Sequence, residues 1–269
     1  MLKKLEHILQ NEIDPAFGKR SKFIFEQIEK RRPKIILDIG CGRGFYLKSL
    51  SLYKFPKKIF GIDINDKYLI KAKKNCQDKR IIIKKGTIYS LPYEDNYFDF
   101  IICSELLEHL KDDKRGIKEL SRVLKKNGTI AITVPNYDFP FFWDPLNWIL
   151  MRFFNTHIDK NIWWLAGIWA DHERLYKKEE LKEKINKYFR PIKFKLLIRW
   201  CWPFSHLILY GIGKNLVERL NINSLDRFNF EDKKQFSSAI AKIFSLPSSL
   251  LDKRFKIKSA MNIVVLAQK

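Results

Sequence analysis

Three groups of residues have the types and spacing to do chemistry. The first is IILDIGCGRGFY, Ile35 to Tyr46, in which Asp38 precedes Gly40, Cys41, Gly42 and Gly44. Glycines let the main chain approach a polar ligand without Cβ clashes, and the N–H groups of a following helix start favour anionic or carboxylate groups. The second is Asp63 in KIFGIDI, 21 residues after Gly42, near the spacing at which an acid at the tip of a second strand meets a ribose. The third is CSELLEHL, Cys103 to Leu110, where Glu105, Glu108 and His109 fall at i, i+3 and i+4 and would share one face of a helix beginning there. Such a trio would accept a divalent cation such as magnesium, with waters or substrate oxygens completing the shell. Glu108, His109 and, further on, His172 in DHERLY are also candidate bases.

These groups need a scaffold that brings them to one edge. Ile35 opens a buried strand, and a helix from about Arg43 to Tyr53 follows the glycine loop. A second strand ends on Asp63. Then come a helix (Asp66 to Cys76), a third strand (Arg80 to Lys85), the turn region GTIYSLPYEDNY, a fourth strand (Phe98 to Cys103), an amphipathic helix (Asp112 to Leu124) and a fifth strand (Gly128 to Val134) introduced by the Asn127-Gly128 turn. Strands and helices alternating in this way predict a mostly parallel sheet with helices on both faces and ligands beyond the strands' carboxyl ends. The Gly40 loop, Asp63, Thr87 and Ser104 all fall at those ends.

The rhythm stops at Pro135. It returns with a helix at Lys178 to Phe189, a strand at Ile192 to Arg199 and a last strand at Ala260 to Ala267. The expectation is one α/β domain over 1–269: a helical cap (1–32) broken at Pro15 and Gly18, a cofactor-binding core (33–136), a lid insertion (137–177), more core (178–200), a second insertion (201–259) and the last strand (260–269).

Composition narrows the class. With 269 residues, 46% of them hydrophobic, the chain can bury a large core. Cys41, Cys76, Cys103 and Cys201 form no CxxC pair, so neither a zinc site nor a disulfide framework is signalled. MLKKLEHILQ lacks the apolar centre of a signal peptide, and Leu196 to Ile212, interrupted by Arg199, Pro203 and His206, falls short of the roughly 20 residues that span a bilayer. A cytoplasmic protein is expected, with contact to the inner face of the membrane as a peripheral protein. The net charge of +22 suits an anionic partner, but the lysines are spread along the chain and single out none. Oligomeric state leaves no sequence signal.

Taken in order, LDIGCGRG, GIDIN, LPYEDNYFDFIICSELLEHL and RVLKKNGTIAITVPN resemble the class I S-adenosylmethionine-dependent methyltransferases, of the type 11 and quinone-pathway O-methyltransferase kind. The resemblance runs from about residue 30 to 136 and returns at 178–199 and 260–268. A dinucleotide fingerprint, GxGxxG, would need a third glycine where Phe45 stands.

The resemblance implies a Rossmann-like seven-strand sheet with its last strand antiparallel, and S-adenosyl-L-methionine as cofactor. Asp38, Gly40, Cys41, Gly42 and Gly44 would form the motif, with the Gly40 to Gly42 backbone on the methionine part. Asp63 would accept from both ribose hydroxyls and Ile64 would pack on adenine. Thr87, followed by Ile88, stands where the family often has an acid for the adenine amino group, and Ser104 closes the fourth strand. In quinone-pathway members the ExxEH pattern can hold a metal beside a catechol-like acceptor, which here would be Glu105, Glu108 and His109.

The acceptor must be read from the insertions. All seven tryptophans lie between Trp143 and Trp202, and Phe141, Phe142, Trp143, Trp148, Phe153, Phe154, Trp163, Trp164 and Trp169 cannot all face water comfortably. They line an apolar pocket or touch a membrane, and Arg152, Lys160 and Arg199 stand beside them. The preferred reading is O- or C-methylation of an apolar, lipid or lipid-linked acceptor at an anionic membrane surface. The alternatives are a soluble small-molecule acceptor, an RNA acceptor, and a cofactor-binding protein without catalysis. No NPPY-like motif or RRM-type aromatic signature speaks for RNA.

Overall fold

Alternation along the central strands creates two apolar faces. In β1 (Ile35–Ile39), Leu37 and Ile39 face one layer and Ile36 the other. The structure, a computed structural model, describes residues 5, 6, 8, 9, 12–162, 165–209, 228, 235–255 and 258–269. Around β1 stand β2 (Lys58–Asp63), β3 (Ile81–Lys85), β4 (Phe98–Ser104), β5 (Leu124–Pro135), β6 (Arg190–Leu197) and β7 (Asn262–Gln268). Their order in the seven-stranded sheet is β3-β2-β1-β4-β5-β7-β6. The first five run parallel, and β7 is antiparallel to both β5 and β6. This is the Rossmann-like methyltransferase sheet that the resemblance implied. The chain reverses its direction of travel between β1 and β4, so a crevice opens there at the carboxyl ends.

Helices cover both faces. On one side α1 (Pro15–Arg31), α2 (Phe45–Leu50) and Leu69 of α3 (Asp66–Asn75) pack on Ile36, Phe100, Ile102 and Val264. On the other, α4 (Asp113–Val123) and α6 (Lys178–Asn186) pack on Leu37, Ile39, Ile101, Ile132 and Val265. The N-terminal helix corrects one expectation. Pro15 does not break it but begins it, after an N-cap in which Asp14 accepts from the Ala16 N–H, and Gly18 lies inside. A proline in the first turn lacks only an N–H that would have no helical partner. The Asn127-Gly128 turn falls within β5, where Asn127 takes a positive φ of 64° and the β4–β5 register shifts.

The lid residues build a smaller core of their own from Phe139, Trp143, Met151, Ile168 and Leu175. Two buried polar residues fix α5 (Pro145–Phe153) to it. The Asn147 amide donates to the Ala166 carbonyl and accepts from the Ile158 N–H, both at 2.9 Å, while Asp144 accepts from the Ile168 N–H at 2.9 Å. The aromatics therefore divide: Trp143 is buried, whereas Phe141, Phe142, Phe153 and Phe154 are exposed. Trp163 and Trp164 lie outside the described residues, as does most of 210–234 in the second insertion, whose described part holds α7 (Gln235–Leu251). Among the described residues no helix is long and apolar enough to cross a membrane.

The end of the lid is pinned through Tyr176. Its buried hydroxyl donates to Asp113 Oδ2 at 2.6 Å, and the same carboxylate meets Lys184 at 2.6 Å and Arg174 at 3.1 Å. Arg174 is thus engaged at the start of α4. Tyr176→Phe is predicted to cost about 1.5–3 kcal/mol, the range for a hydrogen bond to a charged group. Urea unfolding checks this, and an unchanged midpoint contradicts it.

Candidate functional site

The tips of β1 and β2 are tied by one carboxylate. Asp63 Oδ2 accepts from the Gly42 N–H and Oδ1 from the Asn65 N–H, each at 2.8 Å. A carboxylate has about four lone-pair positions, so each oxygen keeps one for a further donor, which suits two neighbouring hydroxyls. Gly42 takes a φ of +52°, and the space where its Cβ would point is empty to 4 Å. The loop thus presents bare backbone to a ligand.

Asp38 lies beneath it. Its carboxyl is buried, and burial, reinforced by Asp63, raises its pKa well above the usual range. Asp38 Oδ2 has no hydrogen-bond partner, and a ligand's ammonium would supply one. Ile64 stands 70% exposed beyond Asp63, an apolar side chain that a flat ring would cover. Thr87 Oγ1 accepts from the Tyr89 N–H at 3.3 Å within a tight turn. The Ile88 side chain is buried in the core against Gly116. Gly44, with φ +85°, caps α2, and Cys41 is buried.

At the end of β4 the geometry differs from a shared helical face. Glu105 has a φ of +51° and precedes the short 3-10 turn Leu107–His109, so it is not on a helix with Glu108 and His109. It accepts from Thr133 Oγ1 at 2.6 Å and from the Asn262 amide at 2.9 Å. Because a carboxylate only accepts, the hydroxyls behind it are ordered. Ser21 points to Tyr46 (3.1 Å), Tyr46 to Ser104 (3.2 Å), Ser104 to Thr133 (2.9 Å), and Thr133 to Glu105.

Glu108 instead groups with His109 and His172, whose ligating atoms lie within 4.8 Å of one another. Both Glu108 oxygens are buried without hydrogen-bond partners, and burial, with Glu105 nearby, raises the pKa. The histidine tautomers follow from their partners. His109 Nδ1 meets the Asp171 carbonyl at 2.7 Å and His172 Nδ1 the Ile168 carbonyl at 2.5 Å. Carbonyls only accept, so each Nδ1 carries a proton, which leaves Nε2 as the ring nitrogen facing the cluster. His109 Nε2 stands 3.8 Å from Glu108 Oε1. Burial and the neighbouring His109 press the His172 pKa down to about 4.

Sequence reasoning missed Tyr46, Thr133 and Asn262. For Thr133 and Asn262 the available signal was a polar residue at a strand tip inside an otherwise apolar run, ITVPN and AMNIVV; Tyr46, in the first turn of α2, had no such signal.

Residues 37–132 match a family described as "Methyltransferase domain". The chain is 29% identical over 175 residues, 63% of its length and 47% of the relative's, to the chloroplastic 2-methyl-6-phytyl-1,4-hydroquinone methyltransferase of Spinacia oleracea. It is 33% identical over 122 residues, 45% of its length and 51% of the relative's, to a ubiquinone biosynthesis O-methyltransferase of Coxiella burnetii. The chain thus spans about half the length of the curated relatives it matches. Among solved structures, the YcgJ protein of Bacillus subtilis superposes with a TM-score of 0.55 at 19% identity, over 93% of this chain and 98% of that one, which establishes the shared fold. Residues 37–132 are thus similar to that methyltransferase domain, and the chain shares the fold of YcgJ.

The low His172 pKa has a consequence for stability. An unfolded imidazole titrates near 6.5 and the folded one near 4, so the unfolded state takes up protons first as pH falls. Stability is complete above pH 6.5 and declines toward pH 4, by up to about 3 kcal/mol. In His172→Gln the decline is expected to be shallower, measured as Tm against pH. Identical slopes in the two proteins contradict the assignment.

Proposed function

We propose that this chain transfers a methyl group from S-adenosylmethionine to an oxygen or carbon of an apolar, hydroquinone-like or lipid-linked acceptor held under the lid at a membrane surface. The observation that carries the cofactor is Asp63, fixed by the N–H groups of Gly42 and Asn65 with one acceptor position left on each oxygen. Those positions take the ribose hydroxyls. The Gly40–Gly42 backbone and Asp38 receive the amino-acid end, and Ile64 and Thr87 stand toward the base. When bound, the cofactor supplies a sulfonium-activated methyl, so the protein's part is alignment and proton removal.

His109 and Glu108 make the proton route. His109 offers Nε2, and the buried Glu108 carboxyl beside it has the raised pKa of a group ready to hold a proton. His172, too weakly basic to take the proton itself, positions the acceptor side of the cleft. The acceptor class rests on the aromatic lid core and on the two relatives, one named for a phytyl hydroquinone and the other for ubiquinone biosynthesis.

A second reading of the same cluster is a divalent cation on Glu108, His109 and His172, favoured by the unpartnered Glu108 oxygens. Two imidazoles with one carboxylate suit zinc, iron or manganese better than magnesium.

Methyl-labelled cofactor incubated with the enzyme and a lipid extract tests the function. Label is expected in the organic phase. Asp63→Ala should lower it roughly 5- to 150-fold at limiting cofactor by weakening cofactor binding about 1 to 3 kcal/mol through unpaired ribose hydroxyls. Label appearing only in water-soluble products or in RNA overturns the acceptor class. Full activity after exhaustive chelation overturns the metal reading.

A further inference from the structure

We infer that α5, residues 200–209 and α7 form one continuous face that docks on an anionic phospholipid bilayer. This deepens the membrane-surface reading above, but it stands on the surface itself and not on the chemistry of the site.

Both helices are turned the wrong way for water. On α5 the exposed side chains are Leu146, Ile149 and Phe153, spaced i, i+3 and i+7, with Phe153 73% exposed, while the polar Asn147 is buried. On α7 the exposed apolar side chains are Ile243, Leu246 and Leu250 at the same spacing, beside exposed Lys242 and Ser249, with Leu250 59% exposed, while Ser248 is buried. A helix on a water-facing surface shows the reverse pattern. Folding does not require this arrangement, because each helix already has an inward face.

The stripes are continuous. The Phe141, Trp148 and Phe153 rings follow one another at 5.2 and 6.4 Å. Pro145 and Leu146 border a groove whose other wall is Phe204 and Leu207. From there Trp202 donates its indole N–H to the Ile243 carbonyl at 2.7 Å, joining this turn to α7. Trp202, Phe204, Leu207 and Ile208, all exposed, fill the span between the helices.

Charge selects the occupant. In residues 139–158, 200–209 and 239–255 the carboxylates are Asp144, which is buried, and Asp252, whose side chain is 14% exposed and paired with Lys19 at 3.0 Å. Neither is exposed, and of the carboxylates bordering these segments Asp138, 55% exposed, is paired with Arg152 at 3.8 Å, while Asp159 is exposed. The cations there are Arg152, Lys242, Lys253 and Arg254. Apolar side chains rimmed mostly by cations complement acyl chains beneath anionic headgroups. A second copy is a poorer occupant, since each copy carries +22. Insertion is shallow: α5 has 9 residues and α7 has 17, short of the roughly 20 that span a bilayer.

The groove reaches inward to Trp143 and His206.

Co-sedimentation of the full chain with phosphatidylcholine vesicles, with and without about one-third phosphatidylglycerol, tests the inference. Binding is expected to need the anionic lipid to start and to persist in part at high salt. The pairs Ile149→Ser with Phe153→Ser, and Leu246→Ser with Leu250→Ser, should each lower partitioning about tenfold or more. Calorimetric affinity for S-adenosylhomocysteine should stay unchanged, which shows that the variants fold. Independently of any variant, brominated acyl chains should quench the tryptophan emission of the wild-type protein. Partitioning unchanged in both pairs, complete release by salt, or absence of quenching overturns the inference. So does a stable wild-type dimer that the same substitutions dissociate, since the face then joins two copies. Methyl transfer without vesicle binding overturns the docking alone; docking without cofactor binding overturns the transferase reading alone.

Discussion

The site depends on the Asp63 carboxylate held between two backbone N–H groups. One comes from the glycine loop after β1 and the other from the start of α3, so a single side chain fixes how two β-α units meet. Gly42 makes this possible by a positive φ and by leaving the ligand side of the loop open. A Cβ there would be strained and would stand in the ligand's space. The carboxylate is therefore a structural clamp whose remaining lone pairs are aimed by the clamp toward the open side of the loop.

A second constraint operates at the end of β4. Two glutamates three residues apart have opposite solutions to burial. Glu105 has two donors, at the end of a hydroxyl chain that runs from α1 through α2, β4 and β5, with Asn262 of β7 completing it. Glu108 has none, and its raised pKa reports the cost of keeping a carboxylate there without a partner. Of the two acids, Glu108 is the one left with free capacity to hold a proton or a ligand. The histidines facing it come from two segments, His109 after β4 and His172 from the lid, so the lid completes the cluster.

Much of the sheet was legible because parallel strands buried on both faces read as apolar runs, and their polar tips mark the ligand edge. Asp38, the glycine loop and Asp63 could be placed from order and spacing alone. The ExxEH group could not. Helical spacing assumes a helix, and the positive φ at Glu105 turns that side chain toward Thr133 and Asn262, more than 25 residues away in sequence. His172 joins the cluster through a lid that has no periodic signal. Pro15 was misjudged as a break because a proline at a first helical turn looks the same in sequence as one that ends a helix; Asp14 ahead of it was the cue. The aromatics were read as lining a pocket or touching a membrane, and the lid divides them, burying Trp143 and exposing Phe153.

The proposed activity depends on the cofactor that Asp63 and Gly42 are proposed to hold. The direct test is calorimetric titration of the full chain with S-adenosylmethionine, S-adenosylhomocysteine and NAD in turn. The geometry predicts saturable binding of the first two at one shared site and none of the third. Binding of NAD with neither adenosyl compound bound would contradict it.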